Sequence, residues 1–345
     1  MPHHGAGEEL VVDTIKTKVD SVRAPVSADA RVVSGQAPVK PARPRKRRRQ
    51  WLPYVLLIPA VVMELMIHII PMLIGVMMSF FKMTQLYLGN WRQAPFAHLD
   101  NYRLAMDINQ PAGKALLHSF VVTIAFTVLV LVFSWSLGLF AAVLTQRPFR
   151  GRGIVRTLLL IPFALPIFAS VITWNFMAQR DTGVINHVLV NQLHLTQGNP
   201  FWLIGGNSFI TITLVVIWRT WPFAFLMMSA GMQSIPADVY EAAVLDGAGI
   251  VTQLRRVTLP LLAPVNRVLV LVLFLWTFND FTTPYTLFGD TTPAQADLIS
   301  IHIYQNSFGT WNFGTGSAMS VLLLLFLMVV TGFYLVLVNR RTDSA

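Results

Sequence analysis

Long apolar runs separated by polar segments dominate the chain from residue 54 onwards. A helix that crosses a bilayer needs about 20 mainly apolar residues. Five runs meet this requirement clearly, and a sixth is more polar but long enough; together they cover residues 54–81, 115–144, 157–177, 209–232, 265–287 and 318–338. The pattern predicts an all-α polytopic membrane protein with six transmembrane helices.

Basic residues are concentrated in alternate segments between these runs. Six spans place both termini on one side of the membrane, and segments rich in Lys and Arg are expected to face the cytoplasm. The basic segments include Arg147–Arg156, Arg255 and Arg256, and Arg340 and Arg341, whereas residues 289–316 contain no Lys or Arg. We therefore expect a multi-pass protein whose N- and C-termini are both cytoplasmic.

Composition supports a membrane location and excludes several kinds of site. Of the 345 residues, 54% are hydrophobic and 12% are charged, which is too apolar for a soluble domain of this length. Residues 1–50 are predicted to be a disordered basic cytoplasmic tail, and residues 51–345 a transmembrane domain. The run Arg45–Arg49 adjoins the first span, so attraction to anionic lipid explains it and nucleic acid is not expected as a partner. The chain has no cysteine, which excludes disulfides and thiolate metal sites.

The polar segment over residues 234–264 has features of a shaped loop. Ser234–Asp238 supplies a capping residue, an early proline and a first-turn acid, so a helix is predicted to begin there. Gly247 should end it near Leu245, and a helix of about ten residues is marginal on its own in water. Pro260 and Pro264 are expected to break the chain before the next span.

This short helix is predicted to be a docking element. Val239, Ala242, Ala243 and Asp246 recur at three- and four-residue spacing, which gives a narrow face of small residues. Glu241 lies beside that face. Small side chains allow another backbone to approach closely, so a partner should hold the helix in place.

The same loop resembles the EAA loop of ABC-importer permeases. Glu241-Ala242-Ala243 is followed after three residues by Gly247 and after nine more by Val257–Pro260. The flanking residues are similar to the sugar-importer branch, which includes the maltose and glycerol-phosphate permeases. The resemblance implies a MetI-like, type I ABC importer permease fold with a cytoplasmic coupling (EAA) helix. It also implies a bacterial inner-membrane permease subunit that translocates a carbohydrate or related polyol and is not itself an enzyme.

The resemblance further implies a set of partners. These are a second permease subunit, which is usually a different chain, two cytoplasmic ATPases that bind ATP and Mg, an extracytoplasmic solute-binding protein, the sugar and membrane lipid. No cofactor or metal is expected on this chain. The residues expected to couple to the ATPase are Glu241, Ala242, Ala243, Asp246, Gly247 and Pro260.

Two charged residues inside predicted spans are candidates for the solute site. An ionisable group in a span is costly unless it pairs or faces water. Arg219 precedes Pro222, where a kink is expected, and Asp280 is its candidate partner; pairing and solute contact both remain open. By resemblance to the maltose permease, the solute contacts would come from Thr220, Phe223, Trp276, Thr277 and Asp280, with Arg219 nearby.

Two other classes of function compete with this interpretation. An ion-coupled secondary transporter could use Glu64, Arg219 and Asp280. Glu64 and His68 lie one turn apart, and they could form either a structural pair or a proton relay. Such transporters commonly contain two related halves, and this chain shows no convincing internal repeat. A membrane-embedded enzyme would need clustered catalytic or metal-binding residues, whereas the eight histidines are scattered.

Overall fold

The computed structural model describes residues 51–342, whose regular secondary structure is helical apart from one isolated β-bridge between Phe81 and Phe96. The described chain divides into two units at residue 60, within the first helix, and the second unit begins at Val61. Of the first unit only residues 51–60 are described, and they form the beginning of the first helix. The predicted tail over residues 1–50 lies outside the described residues.

The helices follow the apolar runs closely. The α-helices are α1 (Leu52–Glu64), α2 (Ile70–Met78), α3 (Asp100–Met106), α4 (Pro111–Leu144), α5 (Arg152–Ala164), α6 (Ile167–Met177), α7 (Val184–Asn186), α8 (Gly206–Gln233), α9 (Ala237–Leu245), α10 (Ile250–Gln253), α11 (Leu259–Leu261), α12 (Ala263–Phe278), α13 (Thr282–Phe288), α14 (Ile299–Tyr304) and α15 (Phe313–Thr342). Short π-helical turns join several of them, at Leu65–Ile69, His187–Gln192, Leu254–Thr258 and Gln305–Gly309.

Five helical segments of the described chain are long and apolar enough to cross a membrane. They are Pro53–Met78, Pro111–Leu144, Gly206–Gln233, Ala263–Phe288 and Phe313–Val338. A sixth candidate consists of α5 and α6 together. The predicted all-α polytopic fold is therefore confirmed.

The predicted span over residues 157–177 is not one straight helix. The axes of α5 and α6 differ by 87°. Leu165 is extended, with φ −73° and ψ 142°, because the ring of Pro166 disfavours the helical conformation in the residue before it. Pro162, by contrast, is accommodated inside α5, and Pro222 lies inside the uninterrupted helix α8.

The break predicted at Pro260 and Pro264 is confined to one turn residue, Leu262, between α11 and α12. Pro264 lies in the first turn of α12, where its missing N–H has no acceptor within that helix. Pro260 lies in α11, which directly follows the π-helical turn Leu254–Thr258, and is accommodated within a continuous helical path. Residues 250–278 are consequently helical except for a turn at Leu262. Ser234 does not cap α9 either, since its hydroxyl donates to the carbonyl of Gly231 at 2.7 Å.

The close packing of α4 against α8 organises the second unit. Gly138 lies where the two backbones meet, and a Cβ atom there would be 2.6 Å from the Cβ of Ala224 and 2.7 Å from the backbone nitrogen of Phe225. Ala224 and Phe225 are buried in a core cluster that also contains Leu269 and Leu273 of α12. The helix α8, which carries Arg219, Thr220 and Phe223, is thus held against α4 by a contact that only glycine permits.

Replacing Gly138 with valine should separate α4 from α8. The three closest atoms that a Cβ at this position would meet are backbone atoms or a Cβ atom, so no side-chain rotation relieves these contacts. Overpacking of this kind costs on the order of 3 kcal/mol. We expect a large drop in folded protein and in melting temperature, measured by fluorescence-detected size-exclusion chromatography. Gly332→Val in α15 is the matched control, because a Cβ at Gly332 meets nothing within 4 Å; equal losses in both variants would contradict the packing argument.

Candidate functional site

The fifth apolar run is interrupted at residues 279–281, and this interruption fixes the carboxylate of Asp280. The run leaves α12 after Phe278 and resumes as α13 at Thr282. Oδ1 of Asp280 accepts a hydrogen bond from the backbone N–H of Thr283 at 3.0 Å, and Oδ2 accepts one from the Thr283 hydroxyl at 2.6 Å. The hydroxyl of Ser300 donates to the Asp280 carbonyl at 2.8 Å. Asp280 is therefore held by its own turn.

Arg219 of α8 approaches the same carboxylate. Its Nη2 lies 3.4 Å from Oδ2 of Asp280. Charge-assisted N–H···O bonds are usually about 2.7–2.9 Å long, so this contact is loose. The Nε of Arg219 is buried and has no hydrogen-bond partner within the described part of the chain. The guanidinium is thus neutralised by Asp280 but retains donor capacity.

Both charges border a cavity of about 820 Å³. Of the six predicted solute residues, five line it: Arg219, Thr220, Trp276, Thr277 and Asp280. Phe223 does not line the cavity, but its ring centroid lies 4.8 Å from that of Trp276, so it supports the wall from behind. The structure therefore brings the predicted residues of α8 and α12 to one place.

Four further residues that line the cavity and could contact a ligand were not predicted from the sequence. Three of them are close to Asp280 in the sequence: Asn279, Phe281 and Thr282. Their position at the interruption of the apolar run is the sequence feature from which they could have been predicted. Phe163 of α5 also lines the cavity, because the bend between α5 and α6 leaves α5 alongside α8. Nothing local to Phe163 indicates this role.

The cavity combines aromatic surface with hydrogen-bonding groups. Trp276 is 52% exposed and offers a ring face. Thr220, Thr277 and Asn279 supply hydroxyl and amide groups, and Arg219 with Asp280 supplies charge. Pyranose rings present apolar C–H faces and a rim of hydroxyls, which this combination suits.

The second predicted site is the loop that contains α9. The helix begins at Ala237, carries Asp238 in its first turn, and ends at Leu245. Gly247 has φ +78°, its N–H donates to the carbonyl of Val244, and the N–H of Ala248 donates to that of Ala243. This is a Schellman motif, in which glycine relieves the strain of the left-handed conformation. The predicted helix end is thus confirmed in position.

A cleft of about 580 Å³ runs along α9. Its lining residues come from α9, from the loop after α4 and from α10: Gln146, Arg147, Pro148, Ala237, Tyr240, Glu241, Val244, Leu245 and Gln253. Among them, Leu245 is 88% exposed and Val244 is 58% exposed, which is unusual for large apolar side chains without a partner. Sequence reasoning did not place Arg147 and Pro148 here.

Of the predicted coupling residues only Glu241 lines this cleft, and the others lie outside its lining. Ala242 and Asp246 are exposed, Ala243 is half-buried, and Pro260 is exposed at the beginning of α11. The phenol oxygen of Tyr240 lies 3.2 Å from the hydroxyl oxygen of Thr258, which ties α9 to the helical segment behind it. The loop is thus a braced surface feature with an open face.

The third group of sequence candidates lies elsewhere. Oε2 of Glu64 is 3.2 Å from Nδ1 of His68, and both side chains are more than 60% exposed. Glu64 does not line the cavity that contains Arg219 and Asp280. Among residues 51–342 there is also no group of three or more His, Asp or Glu side chains placed to hold a metal ion.

Comparison with known proteins identifies the family. Residues 134–343 match the model of the family described as binding-protein-dependent transport system inner membrane component. The chain is 31% identical over 286 residues to the inner membrane ABC transporter permease protein YcjO of Escherichia coli, covering 82% of this chain and 93% of that protein. It is 30% identical over 305 residues to the trehalose/maltose transport system permease protein MalF of Thermococcus litoralis, covering 86% and 97% of the two chains.

A solved structure shows the same fold. It is a bacterial ABC transporter involved in the import of the acidic polysaccharide alginate, with a TM-score of 0.72 and 21% sequence identity. The match covers 85% of this chain and 96% of the other. From the family match and the two relatives of similar length, we conclude that this chain belongs to the binding-protein-dependent transport system inner membrane components, the permease subunits of ABC transporters.

Proposed function

We propose that the chain is the permease subunit of an ATP-driven importer for a carbohydrate or related polyol delivered by an extracytoplasmic binding protein. The observation that carries the proposal is the cavity in which Trp276, Thr220 and Thr277 accompany the Arg219–Asp280 pair. Related proteins support the substrate class by their names. They include the trehalose/maltose permease above and, at 27% identity, a permease of the sn-glycerol-3-phosphate transport system of Agrobacterium fabrum.

The chain path provides the mechanical link for such an importer. α8 carries Arg219 and Thr220 and ends at Gln233, four residues before α9 begins. After α9, residues 250–278 are helical nearly throughout and lead to Trp276 and Thr277. The docking helix is thus joined on both sides to the helices that line the cavity. A partner that moves α9 as a rigid body would move both walls and change which side the cavity opens to.

The proposal includes the partners that this motion needs. ATP is bound with Mg and hydrolysed by two cytoplasmic ATPase subunits, and this chain performs no catalysis. α9 with Glu241, Ala242, Ala243, Asp246, Gly247 and Pro260 faces one ATPase, which places the chain termini in the cytoplasm. A second, different permease subunit completes the pathway. A structural relative, solved in complex with a pentasaccharide-bound periplasmic protein, supports the binding protein as a partner.

The test is ATP hydrolysis by the full complex in lipid. We expect the rate to rise several-fold when the binding protein is loaded with one member of a panel of mono- and disaccharides, polyols and glycerol phosphate. Collapse of the proton and sodium gradients should not affect uptake. Uptake that follows an ion gradient and ignores ATP would contradict the proposal and favour a secondary transporter.

A further inference from the structure

A second cavity of about 390 Å³ lies between the end of α4 and the beginning of α5. Its walls are almost wholly apolar: Leu137, Phe140, Ala141, Leu144, Thr145, Phe149, Val155, Leu159 and Trp221. Several of these side chains are open to the surroundings, including Phe140 at 64% and Leu144 at 58% exposure. We refer to this cavity as the α4–α5 groove. It shares no lining residue with the solute cavity.

Arginines gather at one end of the groove. Nε of Arg152 and Nη2 of Arg156 both donate to the carbonyl of Thr145, which lines the groove, at 2.7 Å and 3.0 Å. Nε of Arg156 is buried and makes no hydrogen bond within the described chain. Arg150 is exposed and directly follows Phe149 of the groove wall.

These positive charges are not balanced locally. Residues 145–160 contain no Asp or Glu, and none of the ion pairs found among the described residues involves Arg150, Arg152 or Arg156. The two bonds to Thr145 hold two guanidinium groups side by side, which brings like charges together. An anion that bridges them would relieve this repulsion through charge-assisted hydrogen bonds.

The basic end of the groove is on the same side of the protein as the docking helix. Arg147, five residues before Arg152, lines the cleft beside Glu241. The groove itself lies along the spanning helix α4, whose sequence from Pro111 to Leu144 is apolar. The apolar groove could hold an acyl chain, and the arginines at its end, at the membrane surface, could hold a phosphate. Together they have the two features of a phospholipid-binding site.

We propose that the α4–α5 groove binds one anionic phospholipid, with an acyl chain between α4 and α5 and the phosphate bridged by Arg150, Arg152 and Arg156. The lipid would fill the space beside the loop at residues 145–151. The same loop also contributes to the cleft that runs along α9. The lipid would therefore brace the surface against which α9 moves. The occupant follows from charge complementarity, because a zwitterionic lipid would not compensate the three arginines.

The proposal can be tested by native mass spectrometry of the purified complex. The complex would be stripped of lipid and titrated with phosphatidylglycerol or phosphatidylcholine of identical acyl chains. We expect one phosphatidylglycerol to bind per copy of this chain with clear preference over phosphatidylcholine. Arg150→Gln/Arg152→Gln should reduce that preference by on the order of tenfold. Arg255→Gln/Arg256→Gln removes the same charge, lies outside the groove lining and should retain the preference.

Two further variants keep the test decisive if the double substitution impairs folding. Arg150→Gln alone changes an exposed side chain and should reduce the preference by a few-fold. Val155→Trp extends an exposed groove wall into the slot and should block binding of either lipid while the complex remains assembled. Equal binding of the two lipids by the wild type would overturn the proposal. So would a preference that survives both arginine variants, or a Val155→Trp protein that separates from its partner subunit, which would indicate that protein fills the groove.

Discussion

Replacing Glu241 with lysine is expected to abolish solute-stimulated ATP hydrolysis and uptake without unfolding the permease. Glu241 is exposed on α9 and lines the cleft together with Arg147 and Leu245, so the change alters the proposed docking surface and leaves the interior intact. Reversing a charge at the centre of an interface both removes an attraction and adds a repulsion. We expect the affinity of the ATPase for the permease to fall by about 30-fold or more. Co-purification of the ATPase and its solute-stimulated activity are the measurements.

The control for this experiment is a charge reversal away from the loop. Asp181→Lys changes an exposed acid outside the cleft and should leave coupling unaffected. Glu241→Gln should give an intermediate loss, because it removes the charge without reversing it. Full activity in the lysine variant would remove Glu241 from the docking surface. Loss of folded protein would instead place it in the core, contrary to its exposure.

The helix α9 could be predicted from sequence because its determinants are local. Pro236, Asp238 and Gly247 act on the few residues beside them, and the helix ends where glycine adopts φ +78°. The apolar runs predicted the spans for the same reason. The bend of 87° after Ala164 was missed because hydropathy averaged over twenty residues does not register the conformation of Leu165.

Contacts between distant parts of the chain could not be predicted. Ser119 donates to Asp297 at 2.6 Å, and Nδ1 of His302 lies 2.9 Å from the same carboxylate oxygen. Serine and aspartate are separated by 178 positions, so no spacing rule relates them. The cavity residues show the same limit. Arg219 and Asp280 could be paired from sequence as opposite charges, but the two hydrogen bonds from Thr283 to Asp280 depend on where α12 ends.

Replacing Asp280 with alanine is expected to be the most damaging change in the cavity. The carboxylate accepts two hydrogen bonds from Thr283 and neutralises Arg219, and its removal leaves a largely buried guanidinium without a counter-charge. Breaking a buried pair in this way costs about 3–5 kcal/mol. We expect a marked fall in melting temperature of the complex and no uptake.

The reciprocal change separates structural pairing from solute binding. Arg219→Gln leaves Asp280 with both of its Thr283 bonds and removes an ion pair whose 3.4 Å contact is loose, so stability should fall by less than in Asp280→Ala. Uptake should nevertheless fall at least tenfold, with the apparent KM for solute raised, because Arg219 lines the cavity and its guanidinium is held only loosely by Asp280, which leaves it able to donate to the solute. A double-mutant cycle would combine Arg219→Gln with Asp280→Asn. We expect the double variant to be more stable than Asp280→Asn alone but to show no recovery of uptake. Restored uptake in the double variant would show that the two charges serve only each other, since neutralising Asp280 cannot replace a hydrogen bond that Arg219 donates to the solute.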